Sequence, residues 1–63
     1  MAYKIREIRE SKNLSQTELA EKSQVSRAII SGLESGRITE TSTKTLVKIA
    51  DALGCKVSDI FLL

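Results

Sequence analysis

The sequence contains no histidine, proline or tryptophan, a single cysteine, and three glycines in 63 residues. Cys55 alone can close no disulfide within the chain, and without histidine it cannot build a Cys/His zinc site, so no metal is expected. A lone thiol is at home in a reducing compartment, which makes the cytoplasm the expected location. The commonest general base is missing, Gly32, Gly36 and Gly54 are too dispersed for a phosphate loop, and the carboxylates form no evident acid/base pair. Those absences disfavour an enzyme and leave no cofactor to expect. Aromatic residues amount to 3%, namely Tyr3 and Phe61, too few for a module that stacks bases on aromatic platforms. No apolar run approaches the roughly 18 residues of a membrane span, and the acids among the first ten residues do not fit a signal peptide. Without an export signal, the glycosylation triplet Asn13-Leu14-Ser15 is coincidental.

What is present is ordinary for a soluble globular chain: 41% hydrophobic and 29% charged residues, with ten basic against eight acidic side chains for a net charge of +2. Residues 1–63 read as one domain. A chain this short buries only about 60% of its unfolded surface, so it must rely on close helix packing, on oligomerisation, or on both. The small net charge permits nucleic-acid binding without demanding it, and the placement of the basic residues has to decide.

No segment alternates apolar and polar residues over a strand's length, whereas helical spacing recurs throughout. Ile5 and Ile8 mark a first helix that ends in Ser11-Lys12-Asn13. Ser15 and Glu18 spell a capping box, with Leu14 and Leu19 as the flanking hydrophobic staple, and predict a short helix over 16–22. Ser26 repeats that grammar, with Val25 and Ile30 in the staple positions, Leu33 one turn on, and Gly36 as a left-handed stop. Residues 37–41 read as a loop. Ser42 caps a fourth helix carrying Leu46, Ile49, Ala50 and Leu53 and closed by Gly54, and a last short helix contains Val57, Ile60 and Phe61. The predicted core is Leu19, Ile30, Leu33, Leu46, Ile49 and Leu53, with Cys55 as a small core hydrophobe.

Only Ser23-Gln24-Val25 separate the second and third helices, so the two must cross steeply and touch. Ala20 faces that turn, where a larger side chain would hold the helices apart. Arg27, Ala28, Ser31 and Gly32 are left on the outer face of the third helix. A helix so presented can enter the DNA major groove while its predecessor crosses the backbone above it.

At this point the chain resembles the phage-repressor or Cro-like helix-turn-helix proteins, also called the xenobiotic-response-element type. The matching residues are Ile5-Arg6-Glu7-Ile8-Arg9-Glu10, Leu14-Ser15-Gln16-Thr17-Glu18-Leu19-Ala20, Val25-Ser26-Arg27, Ile30-Ser31 and Leu33-Glu34-Ser35-Gly36-Arg37. They continue with Leu46-Val47-Lys48-Ile49-Ala50-Asp51-Ala52-Leu53-Gly54. The similarity covers about residues 5–61.

The resemblance implies an all-α, lambda-repressor-like bundle of about five short helices that binds double-stranded operator DNA as a two-fold homodimer. It places Ser15, Gln16 and Thr17 at the DNA, with Gln16 clamping a phosphate. Ser26, Arg27, Ala28, Ser31 and Gly32 match positions that approach phosphates and base edges, and Arg37 matches a backbone-contacting position. Arg9 and Glu34 match a structural ion pair between the first and third helices. Family members commonly dimerise through the C-terminal end, which here offers Val57, Phe61, Leu62 and Leu63.

Four residues depart from the family pattern. Gln24 stands where a glycine is frequent in the turn, Thr41 replaces a frequent proline, Glu40 puts an acid near the DNA, and Lys56 replaces a capping serine. Ala28 and Gly32 offer no side-chain hydrogen bonds, so base reading falls on Arg27 and Ser31, with Ile29 available to a thymine methyl. A glycine inside a helix costs about 1 kcal/mol against alanine, and close approach of the backbone to DNA would account for Gly32.

The expected function is therefore that of a sequence-specific transcriptional regulator, a repressor or controller acting by occupancy of a palindromic operator. The alternative is an antitoxin-type interaction module that also binds its own operator. A purely structural bundle leaves the outward Gln16, Arg27 and Arg37 unexplained.

Overall fold

A computed structural model describes residues 2–62 as five helices and one minimal strand pair. The helices are α1 (Ile5–Ser11), α2 (Gln16–Ser23), α3 (Arg27–Ser35), α4 (Thr43–Leu53) and α5 (Val57–Ile60). Three of the five start on a serine whose hydroxyl accepts a backbone N–H of the first turn. Ser15 accepts from Glu18 at 3.0 Å, Ser26 from Ile29 at 3.3 Å and Ser42 from Thr45 at 3.1 Å. At α2 the box is reciprocal, because the Glu18 carboxylate accepts the Ser15 N–H at 2.8 Å. The Ser15 backbone and hydroxyl bonds hold the Glu18 carboxyl below the usual range. Gly36 and Gly54 close α3 and α4 in the left-handed conformation.

Two left-handed residues are not glycine. Gln24 closes α2 at φ 58°, where a side chain costs roughly 1–2 kcal/mol. Ser23 braces this turn: its buried hydroxyl donates to the Leu19 carbonyl at 2.7 Å and accepts the Val25 N–H at 3.3 Å. Asn13 at φ 57° ends α1, and the next N–H, that of Leu14, returns to the Arg9 carbonyl at 3.1 Å. Lys56 has no side-chain acceptor to offer as a cap, and the Asp59 carboxylate instead accepts the Lys56 N–H at 2.9 Å.

The core is built from Ile5, Leu19, Val25, Ile30, Leu33, Leu46, Ile49, Ala50, Leu53 and Ile60, all buried. Every helix contributes, and α3 is held chiefly against α2 and α1. Cys55 packs half-buried against this core, and burial pushes its thiol up, away from the reactive thiolate.

The C-terminal end differs from the sequence expectation. Phe61 does not continue α5 but begins β2 (Phe61–Leu62), which pairs antiparallel with β1 (Ala2–Tyr3) in the register Ala2 with Leu62 and Tyr3 with Phe61. The Tyr3 and Phe61 rings pack with centroids 5.4 Å apart, and the Lys4 N–H donates to the Ile60 carbonyl at 2.8 Å. The two ends of the chain are thereby joined, although two residues on each side are too few to show alternation in sequence.

Candidate nucleic-acid interface

The short turn from Gln24 to Ser26 delivers α3 with its first residues, Arg27 and Ala28, exposed. Ser15, Thr17, Ser26 and Arg37 are exposed as well, while Gln16 and Ser31 are half-buried. Because Ser15 and Ser26 cap the third helical N–H groups, those of the first two residues of α2 and α3 point outward from each helix start.

Gly32 is a correction. It is buried, lying around the helix between Ala28 and the half-buried Ile29, and the loop residue Ile38 folds over it. The Ile38 N–H donates to the Gly32 carbonyl at 2.9 Å, and a Cβ built on Gly32 would stand 2.6 Å from the Ile38 Cγ1. The glycine makes room for Ile38, not for a DNA backbone. Ile29 packs half-buried against the core, which leaves only part of its side chain to meet a thymine methyl. Gly32→Ala gains about 1 kcal/mol of helix propensity but overpacks Ile38, which typically costs about 1–3 kcal/mol. A lower unfolding midpoint is expected; an unchanged or higher one would show that Ile38 yields freely.

Behind the exposed face lies a buried carboxylate. The Glu34 side chain has no solvent exposure, and that of Arg9 is 11% exposed. Arg9 grips Glu34 with two parallel bonds, Nε to Oε2 at 2.8 Å and Nη2 to Oε1 at 3.1 Å. Its remaining nitrogen, Nη1, donates to the Leu14 carbonyl at 2.7 Å, fixing the loop before α2. Burial pushes the Glu34 carboxyl up, but hydrogen bonds from Arg9, Gln16 and Arg6, with the Arg9 charge, outweigh it and hold the carboxyl below its usual range. The hydrogen bond to Glu34 likewise keeps Arg9 firmly protonated.

A helix-turn-helix family profile matches residues 5–60, which takes in all five helices. The chain belongs to the Cro/C1-type helix-turn-helix family. No curated protein matches it. As a helix-turn-helix protein it is a DNA-binding transcription regulator, and α2 and α3 are the two helices of its motif. No described helix is long and apolar enough to cross a membrane, and the described residues hold no cluster of potential metal ligands.

Two members of the Glu34 cluster are not apparent from sequence. The Gln16 amide donates to Glu34 Oε1 at 3.1 Å, so the side chain expected at a phosphate is also tied to the interior. Arg6 donates from Nε to the same oxygen at 3.3 Å. Its signal is its position one turn before Arg9, on the same face of α1. At the other end, Val57 and Phe61 are half-buried against the core, Leu62 is tied into the strand pair, and Leu63 lies outside the described residues.

Proposed function

We propose that this helix-turn-helix regulator is a cytoplasmic repressor or controller that covers a palindromic operator as a homodimer and acts by occupancy. The observation that supports this most is the division between the two helix starts. Arg27 at the head of α3 is exposed and free to project, whereas Gln16 at the head of α2 is held by a buried carboxylate. A projecting arginine suits bidentate reading of a guanine edge, and a fixed amide suits a phosphate whose place does not depend on sequence. Ser15, Thr17 and Ser26 flank these two points with hydroxyls, Ser31 continues the reading face, and Arg37 adds a charge beyond α3. Ala28 keeps the helix slim enough to seat deeply.

Selecting bound sites from random DNA tests the reading, with a two-fold symmetric site as the expected result. On that site Arg27→Ala should cost about 1–3 kcal/mol and relax the preference at one base pair per half-site. Gln16→Ala should weaken all sequences alike. Equal losses on every sequence for both variants would overturn the division of labour.

A further inference from the structure

Glu34 accepts more positive charge than it needs. The bidentate Arg9 already matches its single negative charge, and Arg6 brings a second guanidinium to the same carboxylate. Arg6 spends only its Nε there, at 3.3 Å, and its side chain remains 56% exposed. Among the described residues its two terminal nitrogens have no partner, and Glu10, one turn along α1, takes no hydrogen bond from it. Because Arg6 Nε and Gln16 Nε2 converge on one oxygen, at 3.3 and 3.1 Å, the unspent end of Arg6 is a neighbour of the Gln16 amide. A guanidinium with four free N–H donors, fixed at its base and open at its tip, is suited to a phosphate oxygen pair.

We propose that Arg6 is a second phosphate-binding residue, contacting the DNA backbone beside Gln16, and that Glu34 is the positioning residue that aims both. The proposal rests on the DNA-binding reading above and extends the interface from α2 and α3 onto α1.

Phosphate contacts are independent of sequence, so a random-sequence DNA duplex is a sufficient probe. Each phosphate neutralised contributes about 0.9 to the slope of log affinity against log salt. Arg6→Ala should therefore flatten that slope by about 0.9, losing roughly threefold less affinity than the unaltered protein between 50 and 200 mM salt. Arg6→Lys keeps the charge and should keep the slope. Lys12→Ala, which removes a charge just past the other end of α1, should change the slope less. Should Arg6→Ala fail to fold, Arg6→Gln, which keeps a donor for Glu34 without the charge, carries the same expectation. An unaltered slope in the Arg6 variant, or a change no larger than that of Lys12→Ala, would overturn the proposal alone. Absence of salt-dependent binding by the unaltered protein would overturn the DNA-binding reading with it.

Discussion

Glu34→Gln is expected to destabilise the domain by about 3–5 kcal/mol, the range seen when one member of a buried ion pair is removed and the other stays charged. The burial decides the magnitude: with Glu34 fully enclosed and Arg9 only 11% exposed, neither charge can turn to water without opening the packing of α1 on α3. An exposed pair would be worth under about 1 kcal/mol. Domains hold roughly 0.05–0.15 kcal/mol per residue, so a chain this short has little to spare, and the variant should be substantially unfolded at room temperature. Urea unfolding measures the difference directly, and an unchanged midpoint would contradict the burial. Replacing both partners by apolar residues of similar volume should cost less than Glu34→Gln, because it strands no charge.

The same carboxylate gives stability a pH dependence of definite sign. Glu34 is held below its ordinary range in the folded protein, so the unfolded chain takes up its proton first as pH falls. The contribution is complete above the unfolded carboxyl value of about 4.3 and is lost as pH drops through the lower native value. Thermal midpoints of the unaltered protein should therefore decline below about pH 4. In Glu34→Gln, measured in a stabilising osmolyte, that decline should be shallower. A decline of equal steepness would assign the acid sensitivity to other carboxylates.

What could be read in the sequence was local. Ser15, Ser26 and Ser42 announce helix starts because a hydroxyl can reach an N–H three residues on, and Gly36 and Gly54 announce ends because they tolerate left-handed backbone. The helix order, the short turn and the buried stripe all follow from such spacing. Gly32 shows where spacing fails. Its place on α3 is ambiguous between outer face and flank, and only the return of Ile38 over the helix settles it, a contact that no periodicity encodes. The β1–β2 pair is hidden for the same reason, since its two halves lie at opposite ends of the chain. Gln16 reads as an outward polar residue, and nothing in the spacing of α1 alone points Arg6 to a partner on another helix. Packing α1, α2 and α3 together is what brings both to Glu34, and this makes a bond of the interior out of residues that also face outward.

A variant unable to dimerise should bind the operator about a thousandfold more weakly or worse, falling toward the affinity of non-specific DNA. One copy of the domain spans 25 × 21 × 19 Å, whereas successive major grooves on one face of DNA lie about 34 Å apart, so reading both requires two copies. The C-terminal end offers the surface proposed for that contact. Val57 and Phe61, both half-buried, line an open groove of about 500 Å³ beside the already buried Leu46, and burying their exposed remainder would contribute part of the roughly 1.5–3 kcal/mol of a fully buried side chain. Phe61 is a poor place to test this, because its ring packs on Tyr3 within the monomer and a charge there would also loosen the joined chain ends. Val57 is a better one. It is the first residue of α5, where an aspartate suits the helix dipole, so Val57→Asp should cost only the packing of its half-buried side chain on the core. With native circular dichroism as the check on folding, it should give a monomer with an operator affinity reduced to the non-specific level. Sedimentation of the unaltered protein as a monomer at high micromolar concentration, without DNA, would defeat the prediction of a stable dimer.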